Sequence, residues 1–265
     1  MKTEKVIEHI VAWLKDYCTS NRQKGFVVGV SGGIDSAVTS ALCARTGLPT
    51  LCVEMPIHQA ASHVTRALEH VARLQETHAN VELERVDLTP TFELMKSALP
   101  AQADEAIVQL ALANTRARLR MTTLYYLAGL RSGLVAGTGN KVEDFGVGFF
   151  TKYGDGGVDL SPIADLTKSQ VYDLARAMNV VDSIMQAKPT DGLFGDDRSD
   201  EDQIGASYPE LEWAMDLRDR QIDPSTLDLS ERQLKVLAIF DRRRAANQHK
   251  MVPVPICLVP AELKR

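Results

Sequence analysis

The stretch FVVGVSGGIDSA, residues 26–37, changes from an apolar run to a glycine- and serine-rich segment and then to a helical pattern. This order predicts a β-strand, a tight turn and an α-helix. The first turn of such a helix has free N–H groups and the positive end of the helix dipole, and both favour an anion. Gly32 and Gly33 allow close backbone approach, while Ser31 and Ser36 add hydroxyl donors. The segment therefore predicts a phosphate-binding loop.

Asp35 lies within this loop, where its carboxylate would repel a bare phosphate. Its presence predicts a bridging cation, and Mg²⁺ is the expected ion. The spacing matches neither the Walker loop, whose lysine is missing, nor the dinucleotide fingerprint. It resembles the Ser-Gly-Gly-x-Asp-Ser loop of the ATP pyrophosphatases, which implies ATP as the ligand; the alternative is an ordinary strand-to-helix turn. The residues expected to bind ATP here are Gly29, Val30, Ser31, Gly32, Gly33, Ile34, Asp35 and Ser36.

Composition limits the classes of protein to which the chain can belong. Its 265 residues are 45% hydrophobic, enough for one α/β domain over 1–265 with a sheet core at about 20–165 and a mainly helical part at about 166–265. No apolar stretch approaches the roughly 18 residues of a membrane span, and the opening helical pattern is not a signal peptide. The four cysteines form no C-x-x-C pair, so reduced thiols and a cytoplasmic location are expected. A net charge of −5 argues against nucleic-acid binding.

The order of the segments predicts the architecture. Strand-like runs at 26–30, 50–55, 81–86 and 134–137 alternate with helical patterns at 36–45, 60–77 and 105–131. This alternation predicts a three-layer, Rossmann-like parallel sheet with helices on both faces, followed by helices at 168–178, 201–217 and 231–246. Ligands of such sheets bind beyond the carboxyl ends of the strands. Both the phosphate loop and the turn at 137–139 are expected there.

A second group of unusual residues narrows the resemblance to one family. The run GFFTKYGDGG at 148–157 follows TGNKVE at 138–143 and precedes SPIADLTK at 161–168. With these motifs the chain resembles the ammonia-dependent NAD synthetases along nearly its whole length, with the adenine nucleotide alpha hydrolase-like fold. The resemblance implies a ligase that uses ATP and Mg²⁺ to amidate nicotinic acid adenine dinucleotide (deamido-NAD). An adenylated carboxylate would be the intermediate, and NAD, AMP and diphosphate the products.

The resemblance also implies roles for individual residues. Asp35 and Glu143 would hold Mg²⁺, and Thr138, Lys168 and Thr190 would bind ATP. Lys168 lies near a predicted helix start, where a cation opposes the dipole unless an anion is bound. Phe149 and Phe150 would either face the pyridine ring or pack in the core. The residues implied for deamido-NAD are Arg118, Lys152, Asp159, His249 and Lys250.

Ammonia is mostly ammonium at neutral pH and must lose a proton before it attacks. We hypothesise that Asp155, in the glycine-rich loop 153–157, binds ammonium, and that Asp155 and Lys168 are the catalytic residues. Two features depart from the family pattern. Four residues separate Glu143 from Gly148 where some relatives have three, and Gln203 replaces a glutamate found in some relatives, so Gln203 is left out of the site. The basic run at 242–244 is expected to be solvated or to face substrate.

Two alternatives remain open from the sequence. One is another ATP pyrophosphatase, such as a GMP synthetase ATPase domain or a tRNA-thiolating enzyme; the other is a nucleotide-binding protein without turnover. Glutamine-dependent relatives carry an additional amidase domain, whereas the synthetase pattern here starts at the first residues. Free ammonia, or ammonia from a separate protein, is therefore expected. The resemblance also implies a homodimer.

Overall fold

Strand β1 (Phe26–Gly29), formed by the apolar run before the phosphate loop, lies inside a four-stranded parallel sheet. The computed structural model describes residues 1–190 and 199–264. The other strands are β2 (Thr50–Glu54), β3 (Val81–Arg85) and β4 (Leu134–Val135), and their order is β3-β2-β1-β4. Val27 of β1 pairs with Leu51 on one side and Val135 on the other. A bridge between Ala136 and Leu160 continues the sheet just after β4.

Helices cover both faces of the sheet because alternate strand residues point to opposite sides. Phe26 and Val28 pack with α1, α2 and α6, whereas Val27 packs with residues of α5. This arrangement confirms the expected three layers. The helices are α1 (Thr3–Ser20), α2 (Ile34–Arg45), α3 (Ala61–Thr77), α4 (Thr89–Ala98), α5 (Glu105–Arg131), α6 (Lys168–Ala177), α7 (Asp182–Met185), α8 (Asp200–Ile204), α9 (Tyr208–Asp219) and α10 (Glu231–Met251).

The helical C-terminal part agrees with expectation except at one break. The single helix expected at 201–217 is wrong, because the structure forms α8 and α9 instead. Gly205, with φ +92°, ends α8 in the left-handed conformation that glycine adopts most readily. Ser207 then starts α9 through a capping box with Glu210. The break turns Tyr208 toward the interior, where its side chain is 3% exposed.

A six-residue π-helix, Val142–Val147, lies between β4 and the glycine-rich loop. A π-helix is wider than an α-helix, with its hydrogen bonds one residue further along the chain. The expected difference from relatives in this stretch stays a prediction. Gly148 ends this turn with φ +65°, and a side chain there would collide with Asn247 of α10.

The described cysteines are free: Cys18, Cys43 and Cys52 are buried, and Cys257 is exposed. No helix within residues 1–190 and 199–264 is long and apolar enough to cross a lipid bilayer. Two short 3₁₀ turns, Pro224–Thr226 and Ala261–Leu263, complete the described elements.

Candidate active site

A crevice of about 250 Å³ opens at the carboxyl ends of β1 and β4. The strand order reverses between these two strands, which is where doubly wound sheets bind ligands. All eight predicted loop residues, 29–36, line the crevice. The other predicted residues that line it are Thr138, Glu143, Phe149, Asp155, Lys168 and Thr190. The structure thus gathers the ATP-side, metal and proposed ammonium residues in one place.

The phosphate loop is held in shape by its own serines. Ser36 Oγ donates to Gly33 O at 2.9 Å, and the Ser31 backbone N–H donates to Ser36 Oγ at 3.2 Å. Gly32 has φ +79°, and a Cβ there would lie 2.4 Å from the carbonyl oxygen of His63. Gly33 precedes α2 and caps it with no side chain, so first-turn N–H groups of α2 remain for an anion.

Lys168 joins the two carboxylates that the resemblance assigns to the metal. Its Nζ lies 2.5 Å from Asp35 Oδ2 and 2.9 Å from Glu143 Oε1, and its side chain is only 4% exposed. Thr167 caps α6 through a capping box with Gln170, and this places Lys168 in the first turn. Burial lowers the pKa of Lys168, but the charges of Asp35 and Glu143 outweigh burial and raise it above its ordinary value. Lys168 is therefore an ammonium cation held between two acids.

Asn140 binds the carboxylate of Asp35 and the backbone of Glu143. Its Nδ2 donates to Asp35 Oδ1 at 3.3 Å, and its Oδ1 accepts the N–H groups of Val142 and Glu143 at 3.1 Å. Asn140 is fully buried. One side chain thus ties the first turn of α2 to the start of the π-helix.

The Asp35 and Glu143 pair suits a divalent cation. Their oxygens already converge on one positive charge, and carboxylate oxygens are the donors that Mg²⁺ prefers. Among the described residues, no group of three or more histidine, cysteine or acidic side chains could hold a metal by itself. Two protein carboxylates with further ligands from water and phosphate are the usual Mg²⁺ arrangement at a nucleotide site. The residues present therefore fit Mg²⁺ bound together with ATP.

Tyr208 is a member of this cluster that the sequence did not indicate. Its hydroxyl lies 2.5 Å from Glu143 Oε1 and 3.1 Å from Asp200 Oδ2. The Lys168 ammonium lies over its ring, 4.7 Å from the centroid. Burial and the neighbouring charges of Glu143 and Asp200 raise the pKa of Tyr208 far above its ordinary value. Tyr208 therefore remains a neutral hydrogen-bond donor.

Asp155 and Asp144 lie at a wall that the crevice shares with a second cavity of about 300 Å³. Asp155 Oδ1 accepts the Thr151 backbone N–H at 2.9 Å. Part of Asp155 reaches solvent, but burial of its carboxyl group still raises the pKa to about 6. The carboxyl group of Asp144 packs against Gly139, and burial together with Glu143 and Asp155 raises its pKa well above the ordinary range. Phe150, Val158, Ser161, Lys250 and Met251 are further lining residues of the second cavity.

A family model described as NAD synthase matches residues 6–253 of this chain. The chain belongs to the NAD synthase family. This confirms both the resemblance and the expected enzyme class, a ligase that forms a carbon–nitrogen bond.

Individual members of the NAD synthase family are similar to this chain along most of their length. A protein named NH(3)-dependent NAD(+) synthetase from Carboxydothermus hydrogenoformans is 37% identical over 211 residues, which cover 79% of this chain and 84% of that protein. A solved NMN synthetase from Francisella tularensis has a TM-score of 0.82 at 30% identity, covering 98% of this chain and 99% of that one. An NH3-dependent NAD synthetase from Campylobacter jejuni has a TM-score of 0.77 at 25% identity, covering 97% and 100%. The parallel α/β fold is therefore that of NAD synthase structures.

None of the five residues predicted for the dinucleotide lines the crevice. Arg118 donates to the carbonyl oxygen of Lys152 at 3.3 Å, and the Lys152 ammonium donates to that of His249 at 2.9 Å. Lys250 donates to the carbonyl oxygens of Gly148 and Phe150 and lines the second cavity. The structure thus brings together a basic group, which we define as Arg118, Lys152, His249 and Lys250.

Asp159 is separate from this basic group. It accepts the hydroxyl of Tyr125 at 3.0 Å and the backbone N–H of Val135 at 2.8 Å. These bonds fasten the segment after the glycine-rich loop to β4 and α5. A role of Asp159 toward the dinucleotide therefore stays a prediction.

The expectation that the basic run 242–244 is solvated or faces substrate is wrong for two of its arginines. Arg243 donates to the carbonyl oxygens of Gln203 and Ile204 at the end of α8, and Arg244 donates to that of Phe145 in the π-helix. Helix ends and widened turns leave carbonyl oxygens without backbone donors, and arginine supplies several donors in one plane. These arginines therefore stabilise the C-terminal part around the site.

Proposed function

We propose that this chain transfers AMP from ATP to the carboxylate of nicotinic acid adenine dinucleotide and then replaces the AMP with ammonia, giving NAD, AMP and diphosphate. The arrangement that carries the proposal is the phosphate loop with Asp35, Glu143 and Lys168 converging at its mouth. Membership of the NAD synthase family and relatives named for ammonia-dependent NAD synthesis support it.

In the adenylation step, loop 29–36 and the first turn of α2 bind the ATP phosphates through backbone N–H and serine hydroxyl groups. Lys168, in the same crevice, adds a positive charge against the diphosphate that leaves. Asp35 and Glu143 would hold Mg²⁺, which neutralises phosphate charge when it is bound. Thr138 and Thr190 line the crevice and complete the proposed ATP site.

In the amidation step, Asp155 accepts a proton from ammonium, so that the nitrogen regains its lone pair. Ammonia then attacks the carboxyl carbon of the adenylate, and AMP leaves with the electron pair of the carbon–oxygen bond. The attacking nitrogen loses a second proton to water as the amide forms. With a pKa of about 6, Asp155 is mainly ionised at neutral pH and only a weak base. The position of Asp155 on the wall between the two cavities supports this role, because the wall lies beside the ATP crevice.

The second cavity supports binding of the pyridine carboxylate. Phe150, Val158 and Met251 give it apolar walls, and the Lys250 ammonium gives it a positive charge. The other members of the basic group would bind the dinucleotide phosphates. We also propose one α/β domain over residues 1–265 and a cytoplasmic location, both of which the composition suggests, and free ammonia or ammonia from a separate protein as the nitrogen source. The family resemblance further implies a homodimer.

A second candidate substrate is the nicotinic acid mononucleotide. The Francisella tularensis chain, with the TM-score of 0.82, is named an NMN synthetase. The amidation chemistry at the carboxylate is the same for both substrates. Only the dinucleotide carries a second nucleotide that needs further contacts.

The deciding experiment supplies the purified protein with ATP, Mg²⁺, ammonium and either nucleotide, and follows NAD, NMN and AMP by chromatography. We expect NAD and AMP in equal amounts from the dinucleotide, lost in Asp35→Ala. Faster formation of NMN would assign the mononucleotide instead. Absence of AMP with both substrates would contradict an adenylating enzyme.

A further inference from the structure

Two groups of different kinds, an ammonium and a hydroxyl, bind the Glu143 carboxylate. The Lys168 ammonium binds Glu143 Oε1 at 2.9 Å, and the Tyr208 hydroxyl binds the same oxygen at 2.5 Å. The Lys168 ammonium lies at the end of a four-carbon stem that can adopt several conformations. Tyr208 is anchored by its buried ring at the start of α9, next to the capping box of Ser207 and Glu210.

In the proposed function, the contact of Lys168 with Glu143 breaks, whereas the contact of Tyr208 with Glu143 remains. The Lys168 ammonium occupies the space between Asp35 and Glu143 that a divalent cation would need, and like charges exclude each other there. The phosphates of ATP would draw the ammonium away from the acids. Asp35 would then still be held by Asn140, and Glu143 by Tyr208.

We propose that Tyr208 is a positioning residue of the metal site: its hydroxyl keeps the Glu143 carboxylate facing Asp35 when Lys168 leaves the pair. The inference rests on the proposed function only in assigning Asp35 and Glu143 to the metal. Tyr208 contacts neither substrate nor reacting atoms in this scheme. It acts through Glu143, whose Oε1 at 2.5 Å is nearer to the single hydroxyl hydrogen than Asp200 Oδ2, which lies 3.1 Å from the hydroxyl oxygen.

The test is binding of Mn²⁺, followed by electron paramagnetic resonance, in the presence of a non-hydrolysable ATP analogue. Tyr208→Phe removes the hydroxyl and keeps the buried ring. A hydrogen bond to a charged group contributes enough to change affinity about tenfold, so we expect Mn²⁺ to bind about tenfold more weakly. The Mg²⁺ concentration for half-maximal rate should rise by about the same factor, while kcat at saturating Mg²⁺ and KM for the nicotinate substrate change little.

Tyr125→Phe is the matched control. It also removes a tyrosine hydroxyl that donates to a carboxylate, Asp159 at 3.0 Å, but neither residue lines the crevice. The Mn²⁺ affinity of this variant should equal that of the unaltered protein. A merely structural role of Tyr208 predicts a lower melting temperature with unchanged Mn²⁺ affinity, and that result would overturn the proposal.

A second comparison isolates Tyr208 from Lys168. Lys168→Met removes the competing ammonium, so Mn²⁺ should bind more tightly without nucleotide, and adding Tyr208→Phe should weaken that binding again. Equal affinities in the single and double variants would refute the positioning role.

Mn²⁺ binding needs no turnover, so absence of NAD synthesis by the unaltered protein would count against the proposed function and not against this inference. If Tyr208→Phe does not fold, the ¹⁹F resonance of fluorotyrosine at position 208 should shift when Mg²⁺ and the analogue bind; no shift would contradict the proposal.

Discussion

The Nζ atom of Lys168 lies 2.5 Å from Oδ2 of Asp35, with both side chains largely out of water. The pair combines a cation from the first turn of α6 with an acid from the first turn of α2. A cation at the start of a helix interacts unfavourably with the helix dipole. The two carboxylates therefore stabilise the Lys168 ammonium when no ligand is bound.

Lys168→Met should reduce both stability and activity. It leaves Asp35 and Glu143 without their buried counter-charge, which costs about 3 kcal/mol or more and lowers the melting temperature. Mn²⁺ should restore part of that temperature in the variant. Loss of a cation that stabilises the leaving diphosphate should lower kcat about a hundredfold or more.

Lys141→Met is the control for removal of a lysine charge. Its partners Asp165 and Asp219 are both exposed, so these ion pairs contribute little. We expect a nearly unchanged melting temperature and rate. If both lysine variants melted alike, the buried cluster would have no special stabilising effect.

Asp155→Asn should change the pH dependence of the amidation. The pKa of Asp155 is raised to about 6, so the ionised form is lost as pH falls through about 6. At saturating ammonium we expect kcat to rise through this pH in the unaltered protein and to lack the step in the variant. Asp165→Asn, at an exposed acid, should keep the step. An unchanged profile in Asp155→Asn would show that Asp155 handles no proton.

Gly32→Ala should damage the phosphate loop more than a comparable change elsewhere. Gly32 and Gly47 both have positive φ, so alanine at either position costs about 1–2 kcal/mol in backbone strain. Only at Gly32 would the Cβ also lie 2.4 Å from a carbonyl oxygen, whereas at Gly47 nothing lies within 4 Å. Calorimetry should show weaker ATP binding for Gly32→Ala and normal binding for Gly47→Ala. Equal ATP affinities would mean that the loop tolerates the added atom.

His70 should make the fold sensitive to acid. This buried side chain bonds Ser40 at 2.9 Å, and burial lowers its pKa to about 4 from an ordinary 6.5. Between these values the unfolded chain binds more protons, so stability is complete above about 6.5 and falls as pH drops toward 4. The full loss amounts to about 3 kcal/mol. Denaturation at several pH values should show a shallower slope in His70→Gln than in His9→Gln, an exposed control on α1.

The phosphate loop and the sheet could be predicted because both depend on short stretches of sequence. Strand, turn and helix follow one another within residues 26–45. The alternation of strand and helix patterns predicts a parallel sheet without knowledge of any long-range contact. The assignment of Thr138, Glu143 and Lys168 to the site needed the family motif, because their partners lie far away in the chain. The structure places all three in the crevice.

Tyr208 and the arginines of α10 could not be predicted for the opposite reason. Tyr208 meets Glu143 across 65 positions, and a tyrosine in an apolar pattern carries no sign of a metal-site contact. The break at Gly205, which directs Tyr208 inward, depends on one glycine that a helical pattern tolerates. Arg243 and Arg244 bind carbonyl oxygens whose exposure arises only after α8 and the π-helix have formed.

The cluster around the Lys168 ammonium is built from residues that lie far apart in the sequence, and this has a consequence during protein synthesis. Its members begin at Asp35 and end at Tyr208, with Glu143 and Lys168 between them. A nascent chain that has emerged only as far as α6 contains the phosphate loop but lacks the tyrosine that holds Glu143. The complete cluster can therefore form only after α9 has left the ribosome, which makes its assembly a late event of synthesis.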